Sequence, residues 1–298
     1  MSNQLPLEVC RRIVEHLHPM YDNPTLAALT CTSRAFHPIS EQHLYSSLYL
    51  FGIRMLHALL RAFTSIPARA SYPRQMYIRL PERDRIPESY WTQISEVLKL
   101  GAAELELLCF IGNDPEAAAS SWVLRSLHNM HGRLKVLRVP FWWDTEVVGF
   151  LESDGANGLT RLETGDVPGV ALVAQQMPSP LMLHRDAAAN LSMVEAPPAA
   201  LALLVPGRPV THVRLCLGPA TTLHTLPSAL YLLKECLSLS TAPKGVIALD
   251  LGDLTTAHPM EVYSIEVLEL CPSYLPNLKF IGTINFPWTK DVPVRLFK

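Results

Sequence analysis

The chain has 298 residues, 49% of them hydrophobic and 17% charged, with a formal net charge of −2. That is apolar material for one large or two unequal folded domains, and it excludes a largely disordered polypeptide. Lys and Arg are scattered, with no basic run interleaved with aromatics, which argues against a nucleic-acid-binding surface.

Met1-Ser2-Asn3-Gln4 carries no basic region followed by an apolar one, so no secretory signal is expected. The longest low-charge run, around Ala199 to Val205, is too short to span a bilayer and is flanked by prolines. Cys10, Cys31, Cys109, Cys216, Cys236 and Cys271 show neither CxxC pairs nor a disulfide framework. Within Leu215-Cys216-Leu217 the thiol reads as a small hydrophobe. The expectation is a reduced protein in the cytoplasm or nucleus, without a membrane partner.

The first elements are helical. Pro6 after Leu5 suits a first helical turn, and Glu8 complements the positive end of the helix dipole. Val9, Ile13 and Leu17 fall on one face, with Cys10 and Val14 beside them. His18-Pro19 should stop that helix. After the turn Tyr21-Asp22-Asn23-Pro24, a second helix carries Leu26, Ala27, Leu29, Thr30 and Cys31. A third segment runs from Ser33-Arg34-Ala35-Phe36 through Ile39 to His43-Leu44-Tyr45. Three short helices offer more apolar positions than so small a segment can bury, so a second surface is expected to cover some of them.

These blocks resemble an F-box: Leu5-Pro6-x-Glu8, Ile13-Val14-x-x-Leu17, Leu29-Thr30-Cys31-x-x-Arg34-x-Phe36 and His43-Leu44-Tyr45. The versions in large fungal families are particularly similar, and the likeness covers residues 4 to 50. Cys10 stands where a larger aliphatic is usual, and Phe36 where the family often has Trp. The resemblance implies docking to the Skp-family adaptor of cullin-RING ubiquitin ligases, with Leu5, Pro6, Leu7, Ile13, Leu29 and Phe36 matching the contact positions. An ordinary three-helix cap on the following domain is the rival reading.

From residue 51 to 298 the sequence reads as a degenerate leucine-rich-repeat-like solenoid of strands and helices, an α/β architecture. A strand core of the form Leu-x-x-Leu-x-Leu recurs at Tyr45/Leu48/Leu50, Gln75/Ile78/Leu80, Leu105/Leu108/Phe110, Leu134/Leu137/Val139 and Leu159/Leu162/Thr164. It continues at Leu191/Val194/Ala196, Val210/Val213/Leu215, Val246/Leu249/Leu251 and Leu278/Ile281/Thr283. Middle positions lie roughly 19 to 36 residues apart, and Leu105 to Asn113 fits the full repeat consensus.

Between the cores, Ile53–Phe63, Tyr90–Leu100, Trp122–Met130, Thr145–Leu151, Leu226–Leu237 and Val262–Leu270 have helical period. Such alternation gives a parallel sheet with helices outside it. A doubly wound sheet is the alternative, but Pro81-Glu82-Arg83-Asp84-Arg85 follows the second core, and no glycine-rich phosphate loop occurs. Gly165 to Leu201, with Met177-Pro178-Ser179-Pro180 and Pro197-Pro198, is expected to be an irregular loop or weak repeat.

No catalytic motif stands out, and an enzyme is not expected. GxSxG, HExxH and zinc-spaced clusters are missing. His16 and His18 share a helix but point to different faces. His128 and His131 are one turn apart without a readable carboxylate partner. Trp142-Trp143 reads equally as a recognition hot spot or as a cap on the core.

Residues alternating with the buried strand positions should line the open sheet face: Tyr77 and Arg79, Val136 and Arg138, Arg161 and Glu163, Glu195, His212 and Arg214, Asp250, and Phe280. Tyr77, Arg79, Arg138, Arg161, Glu163 and Arg214 are the candidates for holding a protein target, whose identity the sequence leaves open. No cofactor or metal is expected. The resemblance therefore implies a substrate receptor of an SCF-type ligase; the alternative is an interaction scaffold without ligase association.

Overall fold

A computed structural model describes residues 5–81, 86–112, 117–130, 132–141, 143–164, 183–216, 236–250, 277–282 and 288–289. The described chain is mixed α/β and divides into two compact units, Met1–Gly112 and Asn113–Lys298.

In the first unit, three helices precede any strand: α1 (Leu7–Glu15), α2 (Asn23–Thr32) and α3 (Phe36–Ser46). The prolines set the starts. Pro6 sits at the N-cap of α1, and Pro24 occupies the first turn of α2, where its missing N–H costs nothing. The second helix thus begins inside the segment expected as a turn. Both α1 and α2 pack on α3. His43 Nε2 donates to the Leu17 carbonyl at 2.8 Å and His37 Nδ1 to the Thr30 carbonyl at 2.9 Å, pinning the ends of α1 and α2 to α3.

The chain runs from α3 directly into β1 (Ser47–Phe51), then α4 (Ile53–Ser65), β2 (Gln75–Arg79), α5 (Glu88–Gly101) and β3 (Leu107–Ile111). The three strands are parallel, with Leu48, Met76 and Leu108 in one register and Leu50, Ile78 and Phe110 in another. One sequence assignment is corrected here. The second core is Pro73/Met76/Ile78, not Gln75/Ile78/Leu80: Gln75 is exposed, while Pro73 and Met76 are buried. A slip of two residues keeps the same face, since side chains alternate with period two. Leu80 misleads because it too is buried, just past the strand end, where its N–H donates to the Ile111 carbonyl.

The second unit repeats the plan with β4 (Val136–Val139), α6 (Thr145–Leu151), β5 (Arg161–Thr164), β6 (Met193–Ala196), α7 (Pro198–Leu204), β7 (His212–Leu215), β8 (Ala248–Asp250) and β9 (Phe280–Gly282). These strands pair in parallel in sequence order; β10 (Trp288–Thr289) closes antiparallel on β9. Leu137, Leu162, Val194, Val213 and Leu249 form one buried row across the sheet, in register. A second row, Leu134, Leu159, Leu191, Val210, Val246 and Leu278, is buried beside it. Each strand alone leaves one face bare, so neighbouring repeats complete one another's core. Replacing Leu162 with Ala should cost about 2–5 kcal/mol in a urea melt, the usual range for truncating a buried leucine.

Two expectations are adjusted. Trp122–Met130 is not an α-helix: a 3-10 stretch covers Ala117–Leu127, broken at Ser120. Adjacent serines disfavour a regular helix here. Ser121 instead donates to Asp144 Oδ2 at 2.5 Å, while Asp144 Oδ1 caps α6 through the N–H groups of Glu146 and Val147. Within the segment expected to be irregular, Pro197 and Pro198 start α7, and residues 165–182 lie outside the described residues. The helix expected at Val262–Leu270, most of the one at Leu226–Leu237, Leu251, Thr283, Trp142, His131, Asn113 and the Phe280 side chain likewise lie outside them. No helix among the described residues is long and apolar enough to cross a membrane.

Candidate functional site

Two surfaces carry most of the sequence candidates, one in each unit, with Tyr77 and Arg79 apart from both. The first is on α1. Its apolar residues form two stripes with different fates. Cys10 and Val14 turn toward α3 and are fully buried. Leu5, Leu7, Val9 and Ile13 remain 53%, 47%, 40% and 39% exposed, and Pro6 is exposed among them. Val9 and Ile13 share one side of α1, Leu7 lies across the buried Cys10–Val14 stripe from them, and Leu5 precedes the helix, so exposed apolar side chains flank the buried stripe on both sides. Leu29 and Phe36 are half-buried and divide their surface between solvent and the helical module itself. The four exposed side chains and these two are therefore not equivalent.

Tyr77 and Arg79 lie on the open face of β2, both half-buried. The Arg79 guanidinium stands 5.5 Å over the ring of Phe51 on β1, a cation–π contact across neighbouring strands. Burial pushes the Tyr77 hydroxyl above its ordinary pKa, with Cys109 adding to the rise.

The second surface is the open face of the sheet in the second unit. Strand register places Arg138, Glu163, Glu195, Arg214 and Asp250 side by side in a single row. Two residues back along the strands lie Arg161, Met193, His212 and Ala248, also in register. Four sequence candidates, Arg138, Arg161, Glu163 and Arg214, thus share this face. Glu163 is at its centre and is only 6% exposed, since two guanidiniums cover it. Arg138 Nε reaches Oε2 at 3.1 Å and Arg161 reaches Oε1 at 2.5 Å, which occupies both carboxylate oxygens.

Arg214 is shared: it lies 3.4 Å from Glu195 Oε2 and 3.4 Å from Asp250 Oδ2. Burial lifts the Glu195 carboxyl above its ordinary pKa; Arg214 opposes the rise, Glu163 adds to it, and Arg138 and Arg161 oppose it more weakly. The sign of the pH dependence follows. A carboxyl that holds its proton more tightly when folded stabilises the fold at acid pH and loses that contribution as pH rises through its folded pKa. Glu195→Gln should therefore melt above wild type at pH 7, and the two curves should converge toward pH 4. Thermal melts over that range check it.

A cavity of about 410 Å³ opens on this face, lined by both rows from Arg161 and Glu163 to Ala248 and Asp250. Val194 and Val213 also line it, and its charged residues come from β5, β6, β7 and β8. Such a surface can grip charged groups of a ligand. No group of three or more His, Cys, Asp or Glu among the described residues is arranged for a metal ion.

The histidines and tryptophan singled out in the sequence go elsewhere. The His18 ring lies 4.5 Å from that of Tyr21. His128 packs on Phe150, and burial lowers its pKa despite the nearby Glu146. Trp143 is in the core.

Sequence reasoning missed Arg208. It is 1% exposed and its guanidinium is held by carbonyls alone: Ala187, Leu203, Leu204, Pro206 and His184, at 2.7 to 3.3 Å. Burial lowers its basicity. The only hint in sequence was its place two residues before the buried Val210, after a helix end that needs donors. Compared with protein-family models and with curated proteins, the chain finds no match.

Proposed function

We propose that this protein is a substrate receptor of an SCF-type cullin-RING ubiquitin ligase. Residues 4–50 serve as an F-box that docks a Skp-family adaptor, and the repeat-like sheet that follows holds a protein target on its open face. The observation that carries the reading is the exposed apolar surface of α1 and of the segment that leads into it. Leu5, Leu7, Val9 and Ile13 stay exposed while Cys10 and Val14 fill the module's own interior. A cap that merely sealed the next domain would have no reason to leave four large hydrophobics in water.

The chain performs no chemistry in this scheme. It raises the local concentration of target lysines at the ubiquitin-charged enzyme. The recurring strands and the charged row on their open face fit a protein-binding platform.

The test is co-purification of the full chain with a Skp-family adaptor. Wild type should form a stable complex. Leu7→Asp with Ile13→Asp should weaken capture at least about tenfold, the scale of an interface hot spot, and shift stability by under about 1 kcal/mol, since both sites are exposed. Val14→Asp should instead unfold the module. A wild-type chain that leaves the adaptor unbound sinks the reading, and the alternative of a scaffold without ligase association then stands.

A further inference from the structure

The sheet face of the second unit carries three guanidiniums, Arg138, Arg161 and Arg214, against three carboxylates, and they are unevenly matched. Three carboxylates, Glu163, Glu195 and Asp250, line the cavity with two guanidiniums, Arg161 and Arg214. Arg161 is spent on Glu163, which Arg138 also grips. Arg214 is stretched between Glu195 and Asp250, 3.4 Å from each, at the long end of a useful hydrogen bond.

Glu195 fares worst. Its side chain is 20% exposed, and Arg214 is its one ion-pair partner among the described residues. Its other polar contact among the described residues is the Cys216 thiol, 3.8 Å from Oε1. Directly across the strand pair stands the like charge of Glu163. A half-buried carboxylate with so little compensation is held at a cost to the fold, and that cost disappears when a cation arrives.

An incoming carboxylate would meet the opposite situation. The guanidiniums it needs are already engaged, and Glu195 and Asp250, which share the single Arg214, stand beside the opening. His212 adds little, because its Nδ1 is tied to the Thr211 hydroxyl at 2.8 Å. The apolar parts of the lining, Met193 and Ala248, suit an aliphatic stem. The volume of about 410 Å³ admits one long side chain and is at the small end for ligand pockets.

We propose that this cavity receives a basic side chain, arginine or lysine, presented by a protein segment that lies across the open sheet face, with Glu195 as its counter-ion. The site rests on the reading of this face as the target surface and gives that target a chemistry: an exposed basic residue. Glu195 is a binding residue here, Arg214 an orienting one.

Capped Gly-Arg-Gly, Gly-Lys-Gly, Gly-citrulline-Gly and Gly-Glu-Gly are titrated into the full chain by calorimetry. The two basic peptides should bind saturably. Citrulline, which keeps the shape and loses the charge, should bind at least about tenfold more weakly, as should the basic peptides to the Glu195→Gln protein. That variant should melt no lower than wild type, which separates lost recognition from lost folding. Glutamate binding as tightly as arginine overturns the proposal. So does arginine affinity unchanged by Glu195→Gln, or no saturable arginine binding to wild type. Adaptor capture is independent of all these outcomes: its failure would remove the ligase reading and leave the cavity, and failure of the peptides would leave the adaptor reading intact.

Discussion

Arg208→Met should destabilise the second unit by about 3–5 kcal/mol, measured by urea denaturation, although no acidic partner is lost. The guanidinium donates to five carbonyls and is 1% exposed. Three of those carbonyls, Leu203, Leu204 and Pro206, lie at and just beyond the C-terminal end of α7, where helix carbonyls lack intrahelical donors and the dipole is negative. The other two, His184 and Ala187, belong to the turn that precedes β6. One side chain therefore bolts two connections of the repeat together. Methionine fills much of the volume but removes every guanidinium donor; His184 keeps the Ala187 N–H, and the desolvation of the other carbonyls dominates. Arg208→Lys should recover part of the loss and not all of it. An ammonium has three donors on a flexible stem and cannot reach both the turn and the helix end in the planar fork geometry.

The same residue shows where a single sequence stops being readable. Strand cores were legible because each repeat must bury the same two or three positions, and Leu134, Leu137, Leu159 and Leu162 are all 0% exposed where the pattern placed them. Helices α4, α5 and α6 followed from period alone, within two residues at their ends. Which residues share the open face was also legible, since alternation decides it.

Pairing on that face was not. Glu163 under Arg138 and Arg161 depends on how β4 and β5 align, and alignment is a property of two strands. The division of α1 was hidden for a similar reason. Val9 and Ile13 lie next to Cys10 and Val14 on the helix, and only the position of α3 decides which stripe is covered. Arg208 was missed because a charged residue reads as surface unless a partner of opposite charge is in view. Its partners are carbonyls, which every residue has.

Gly158→Ala should cost more than about 4 kcal/mol, the range reserved for changes that a fold cannot absorb. A Cβ at this position would come 1.8 Å from the Gly132 carbonyl oxygen and 2.7 Å from its carbon. Both are backbone atoms, so no rotamer change relieves the clash. The contact exists because the turn entering β5 rests directly on the turn entering β4; the next turn continues the stack, with Asn190 donating to the Asn157 carbonyl at 2.8 Å. Gly207→Ala is the matched comparison. Its φ of +75° makes alanine strained, but nothing lies within 4 Å of the added carbon, so about 1–2 kcal/mol is expected. Equal losses at the two sites would mean that backbone conformation, rather than close stacking of successive turns, sets the spacing of the repeats. A much larger loss at Gly158 would locate that constraint in the stack itself, and would explain how strands separated by such uneven lengths of chain keep one register.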